Sequence, residues 1–242
     1  MSASAFTQQS FEATKSEVTD PDYAEAERFL KLLDPNGTSW TFQTFDDDKE
    51  RRESSLAKVL HGSLEERRDE LAELSQRGAG IFVVVNETNG QGRKKTDITR
   101  VRAVWQEADR PDVPQLPLTP HIVVESSPGK YHRYVRVEGA PIDEFAAVEQ
   151  RLVDDYGSDP NAKDIARVLR LPGFPHQKDA QNPHMVRIVG DSGKPPIAWE
   201  EVKKTLPPVV KPPRKVVTGS TNVSADMAEA AKIKKKRSGT AA

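Results

Sequence analysis

The chain has 242 residues, 36 basic and 37 acidic side chains, a formal net charge of −1 and no cysteine. Disulfides and cysteine-based zinc ribbons are excluded, and no stretch approaches the roughly 20 apolar residues that a bilayer-spanning helix needs. The near-neutral total gives no argument for nucleic-acid binding, and the polar Met1–Ser16 stretch lacks the apolar core of a secretion signal, so a cytoplasmic location is expected.

Residues 1–20 read as disordered. Ala24, Ala26, Phe29, Leu30 and Leu33 recur at helical spacing, which predicts a helix from Asp22 to Leu33, stopped by Asp34-Pro35-Asn36-Gly37. Trp40 to Phe45 alternates apolar and polar, the pattern of a strand, and runs into the acidic turn Asp46-Asp47-Asp48. Two helices are expected next, over Ser54–His61 and Ser63–Gln76. The second opens with a capping-box pattern, Ser63 with Glu66 three residues on. Ile81 to Val85 is a continuous apolar run, read as a strand buried on both faces. A Gly-rich basic loop, Asn86 to Lys95, separates it from a strand over Thr99–Trp105.

After a Pro-rich loop, strands are expected at His121–Glu125 and Tyr131–Val137, joined as a hairpin by Ser126 to Lys130. An amphipathic helix covers Pro141–Tyr156, a short helix Ala162–Val168, a strand Met185–Val189 and a last helix Trp199–Leu206. The order predicts an α+β domain over residues 21–206 with a mostly antiparallel sheet. Residues 207–242 turn to Pro, Lys and Ser and read as linker and tail. From Leu206 onward eight basic residues face two acidic ones, so the tail is basic while the rest is acidic. Such a tail suits either non-specific phosphate contact or plain solvation.

Three segments carry chemistry. Glu107-Ala108-Asp109 follows an apolar strand, and residues i and i+2 of an extended chain point the same way about 7 Å apart. Two such carboxylates suit a hard divalent cation, Mg²⁺ or Mn²⁺; a solvated acidic loop has the same sequence. Ser126-Ser127-Pro128-Gly129-Lys130-Tyr131-His132 offers a glycine for close backbone approach and Ser127, Lys130 and His132 as donors to phosphate. Lys130 and His132 share a face if extended; the alternative is an ordinary hairpin turn. Asp164, Arg167 and Arg170 lie at one-turn intervals if helical. Asp164 then offers a third metal carboxylate and the arginines a phosphate clamp; a salt-bridged surface helix is the alternative. His176 and Lys178 extend that basic patch. Together the segments supply the parts of phosphoryl transfer.

With these residues in place the sequence resembles the RepB-like primases of plasmids and phages, a branch of the archaeo-eukaryotic primase (primase-polymerase) superfamily. The resemblance runs from about Phe29 to Ile188. It is carried by Phe42 to Asp47, Gly78 to Phe82 with Val85 to Thr88, Gly90 to Arg93, Ser126 to His132 and Arg167 to Gly173. Glu107 and Asp109 match the family's paired acidic residues after a strand, with Glu107 where aspartate is often found. Ser127, Lys130 and His132 match its Ser-x-His-like motif. Asp164 is carried over as its single third carboxylate.

The resemblance implies a primase-like core: an N-terminal α/β module and an RRM-like, mostly antiparallel unit. It also implies template-directed nucleotidyl transfer. Mg²⁺ or Mn²⁺ would be held by Glu107, Asp109 and Asp164. Nucleoside triphosphate would be held by Ser127, Lys130, His132, Arg167 and Arg170. Single-stranded DNA template is expected at Arg93, Lys94, Lys95 and Lys178, although a solvated basic loop explains Arg93 to Lys95 equally well. Any replicative helicase is expected on a separate chain, because no Walker-type phosphate loop is present. Trp40, Phe42, Phe45 and Phe82 are expected in the core rather than as base-stacking platforms. Two other functions stay open: a catalytically inactive replication-initiation protein that binds DNA, and a metal-dependent nuclease.

Overall fold

In the computed structural model, residues 20–110 and 112–207 are described, so the expectations for residues 1–19 and 208–242 lie outside the described residues. Helix α1 (Tyr23–Leu33) starts at Asp22, whose side chain accepts the Glu25 N–H at 3.1 Å, and it buries Ala26, Phe29, Leu30 and Leu33. Strand β1 (Trp40–Asp46) follows, then β2 (Val59–Gly62), α2 (Leu64–Gln76), β3 (Ala79–Val84) and the short pair β4 (Glu87–Thr88) and β5 (Ile98–Arg100). Next come β6 (Ala103–Ala108), β7 (Ile122–Ser127), β8 (Lys130–Glu138), α3 (Ile142–Tyr156) and β9 (Val168–Arg170). The described chain closes with β10 (Pro175–His176), β11 (His184–Met185), β12 (Arg187–Asp191), β13 (Ile197–Ala198) and α4 (Trp199–Thr205).

Two sheets organise these elements. The first has the order β2-β1-β3-β9, antiparallel throughout. Its register puts Phe42, Val83 and Leu169 on one face, all buried in the core. The other face carries Gln43, Phe82 and Arg170. The second sheet places β12, β7, β8 and β6 side by side, with β13 added in parallel at the end of β8. Trp105, Tyr134 and Ile122 stand opposite one another on its core face, each 1 % exposed or less. The α+β class and the mostly antiparallel pairing agree with the sequence.

Two expected helices are absent. Residues 54–61 form one 3₁₀ turn (Ser54–Leu56) and then β2, because Val59 to Gly62 pairs with the edge of β1. Short apolar runs cannot be told apart by periodicity alone, and a pairing partner decides them. Residues 162–168 form turns leading into β9. Asp159 Oδ1 accepts the Asn161 N–H at 2.7 Å and Asp164 Oδ1 accepts the Ala166 N–H at 3.1 Å. Such local bonds offer the backbone an alternative to helix. The capping box at Ser63 and Glu66 is present as expected.

Candidate functional site

The site grows from the facing ends of the two sheets. Glu107 is the penultimate residue of β6. Its backbone N–H donates to Ser158 Oγ at 3.0 Å, which fixes the end of the strand. Its carboxylate is 9 % exposed and receives both arms of Arg167, Nε to Oε1 at 2.7 Å and Nη2 to Oε2 at 3.1 Å. Burial pushes the Glu107 carboxyl up, and the carboxylates of Asp159 and Asp109 push it the same way, against the lowering by Arg167. Arg167 is itself anchored through its backbone: its carbonyl accepts the Val85 N–H at 3.2 Å and its N–H donates to the Asp164 carbonyl at 2.8 Å. Asn86 ties the same corner together, donating to the Ile165 carbonyl at 3.0 Å and accepting the Arg102 N–H at 2.9 Å.

His132 stands directly opposite Glu107 in the β6–β8 register, and Lys130 opposite Ser127 across the Pro128-Gly129 turn. Gly129 has φ +72°, a left-handed conformation that a glycine adopts without strain. Lys130 and His132 do share a face, as the alternation requires. Lys130 is exposed and its Nζ lies 3.6 Å from Asp109, whose side chain is half exposed. His132 is buried, and its Nδ1 has no hydrogen-bond partner among the described residues. Burial, helped by the charges of Arg170 and Arg167 and by His176, lowers its pKa to about 3. It is therefore a neutral imidazole at physiological pH, facing two guanidinium groups.

Arg170 reaches this cluster from β9. Its guanidinium is held by Asp47, Nη2 to Oδ1 at 2.7 Å and Nη1 to Oδ2 at 3.1 Å, and Asp47 also accepts the Gln177 N–H at 2.8 Å. Gly80 leaves room for that pair: a Cβ there would overlap Asp47 Oδ1 and sit 2.7 Å from Arg170 Nη1. Ring contacts extend outward, with Arg170 4.7 Å over Phe82 and His176 Nδ1 3.0 Å from the Ser126 carbonyl.

The structure brings together Glu107, His132, Arg167 and Arg170, with Ser127, Lys130 and Asp109 at the hairpin mouth. Asp164 is used differently from the expectation. It caps its own turn, and among the described residues no three His, Asp or Glu side chains gather closely enough to hold a metal ion. The expected triad Glu107, Asp109 and Asp164 is thus not assembled as a ligand set. The donors a cation would meet are Glu107 and Asp109, oxygen ligands of the right hardness, with Glu107 presently neutralised by Arg167. Arg93 bonds Gln43 and lies 5.7 Å from the Phe45 ring, whereas Lys94, Lys95 and Lys178 are exposed.

Asp47 and Asp159 were missed as site residues. Asp47 read as the middle of an acidic turn and the end of a segment carrying the resemblance, with no role of its own, and the fold places it under Arg170; Asp159 had no motif to mark it. The four aromatics divide: Trp40 and Phe42 are core, whereas Phe45 is 36 % exposed and Phe82 half-buried.

Residues 111–208 match the family model of the RepB DNA-primase N-terminal domain. Among solved structures, the archaeo-eukaryotic primase domain of the cyanophage S-2L primase-polymerase shares the fold with a TM-score of 0.61 at 19 % identity. That match covers 77 % of this chain and 99 % of the other. Primase RepB′ follows with a TM-score of 0.55 at 17 % identity over 88 % of this chain and 66 % of that one. The RepB′ catalytic domain in complex with initiator DNA gives 0.52 at 17 % over 90 % and 98 %. A search of curated protein sequences finds no match. The family model and the shared fold bear out the resemblance to the RepB-like primases.

Proposed function

We propose that this chain, with its RepB-primase sequence pattern on a primase fold, is a DNA primase or primase-polymerase that joins nucleotides on a single-stranded DNA template. The observation that carries the reading is the cluster of Arg167, Arg170 and neutral His132 beside the Glu107 carboxylate, with the Ser127–Lys130 turn at the end of the same hairpin. Two fixed guanidinium groups suit the oxygens of a triphosphate. A buried imidazole with an unpartnered nitrogen suits a further phosphate oxygen as a neutral donor. Lys130 and Ser127, at the mouth, add the donors nearest solvent.

Mg²⁺ or Mn²⁺, when bound by Glu107 and Asp109, would lower the barrier for attack by a primer 3′-hydroxyl and for loss of pyrophosphate. Arg167 must release Glu107 for that, and the incoming triphosphate is the competing anion that would draw its guanidinium away. The structurally characterised RepB′ catalytic domain was captured with initiator DNA, which supports DNA as the partner here. A replicative helicase on a separate chain is part of the proposal.

The bidentate Arg167–Glu107 pair also favours a second reading, a replication-initiation protein that binds DNA without catalysis. One experiment separates the two. The protein is incubated with single-stranded DNA, labelled nucleoside triphosphates and Mg²⁺ or Mn²⁺, beside the Glu107→Ala/Asp109→Ala double variant. Short products from the parent alone establish the primase. DNA binding by both with products from neither establishes the initiation protein.

A further inference from the structure

We infer that Phe45 and Phe82, flanked by Arg93 and Arg170, form a stacking platform for the bases of single-stranded nucleic acid on the outer face of the first sheet. The inference deepens the proposed function by assigning the template a surface. Phe45 and Phe82 are edge-to-face neighbours, 5.6 Å apart between ring centroids, on the face opposite the core. Phe45 is 36 % exposed, and Val59, opposite Gln43 on the same face, is 42 % exposed. Phe45 and Val59 are thus exposed apolar side chains on one sheet face, with the half-buried Phe82 ring against Phe45.

Charge selects the occupant. Arg93 lies 5.7 Å from the Phe45 ring and Arg170 4.7 Å from the Phe82 ring. Lys94 and Lys95 follow in the same loop, both exposed. Asp46 is paired with Arg51 at 2.7 Å and Asp47 with Arg170, so the cations here without a carboxylate ion-pair partner among the described residues are Arg93, Lys94 and Lys95 of the adjoining loop. Aromatic faces interleaved with arginines and lined by basic residues are the makings of a surface for single strands, where bases stack and phosphates find cations. Double-stranded nucleic acid hides its base faces and would leave the rings unused. Arg170 belongs to the platform and to the His132 cluster alike, so a base stacked on Phe82 sits next to the triphosphate cradle.

The test measures binding of a fluorescent oligothymidylate to the full chain by anisotropy, without nucleotide or metal, across a salt series. Phe45→Leu and Phe82→Leu keep apolar bulk and remove the ring, and circular dichroism checks their fold. Each is expected to weaken binding roughly 5- to 150-fold with the slope of log affinity against log salt unchanged. Arg93→Gln should instead flatten that slope. An abasic strand of equal length should erase the difference between parent and Phe45→Leu. Equal binding by parent and both leucine variants, an equal loss on the abasic strand, or no binding by the parent would overturn the platform. Because neither nucleotide nor metal is present, a chain that binds this way yet makes no primers leaves the platform standing and removes only the catalytic reading.

Discussion

His132 shows how one residue is tuned by its surroundings. Its position is set by the β8 register, its neutrality by burial and by two guanidinium groups that repel a further positive charge. A histidine whose folded pKa is depressed from 6.5 to about 3 takes up fewer protons in the folded state than in the unfolded one. Its contribution to stability is therefore whole above pH 6.5 and is lost as the pH falls toward 3. His132→Gln removes the titration while keeping a neutral amide donor. Urea unfolding at pH 7, 6 and 5 should show the parent losing more stability than the variant, approaching about 1.4 kcal/mol per pH unit once the unfolded chain is protonated. Parallel pH profiles for the two proteins would mean that His132 is charged, or hydrated, in the native cluster. At this scale the sequence was informative about residue types: Glu107, His132, Arg167 and Arg170 converge as their motifs suggested. It was silent on partners, since nothing in Asp46-Asp47-Asp48 marks the middle residue as the one that holds Arg170 across 123 residues of chain.

At the scale of elements, long amphipathic segments and strong stop signals were legible. The helices at Tyr23, Leu64, Ile142 and Trp199 and the hairpin around Gly129 lie within a few residues of their expected bounds. Short segments were not, because their state depends on a distant partner: β2 is a strand only by pairing with β1, and residues 162–168 are turns because two aspartates bond their own backbone. The junction at Gly173 shows the same dependence on packing. Its N–H donates to the Val186 carbonyl at 2.9 Å and its carbonyl accepts the Asp22 N–H at 2.7 Å, so the start of α1 is stitched to the segment after β9. Gly173 has φ +85°, and a Cβ there would overlap the Asp22 carbonyl oxygen. Gly139, at φ +72°, has open space around it. Gly173→Ala should therefore cost more than the roughly 1 kcal/mol expected of Gly139→Ala, by about 2 kcal/mol or more. Denaturant midpoints of the two variants check this, and equal losses would mean that α1 shifts freely at its start.

For the whole molecule, the candidate site spans both sheets. Arg170 comes from the first sheet and Asp47 from the turn just after β1, Glu107 and His132 come from the second sheet, and Arg167 enters from the turns that precede β9. One hydrophobic core cluster draws on both sheets, and polar contacts such as Arg167–Glu107 join them. An anion bound by Arg167, Arg170 and His132 would add a tie between the sheets that the unfolded chain lacks. Ligand at 100 times its dissociation constant stabilises a protein by about 2.7 kcal/mol. For a chain of this size that is a rise in Tm of roughly 5–10 °C. Nucleoside triphosphate with Mn²⁺ should produce such a rise in the parent. Arg167→Ala should lose most of it, because it removes one clamp directly. Gly80→Ala should lose part of it, because the new methyl displaces the Asp47–Arg170 pair and lets the second clamp swing. Since both substitutions lower the starting Tm, the quantity to compare is the ligand-induced rise within each protein. An undiminished rise in both variants would place the triphosphate elsewhere on the chain. A rise lost in Arg167→Ala and kept in Gly80→Ala would leave Arg170 to the single-strand platform alone.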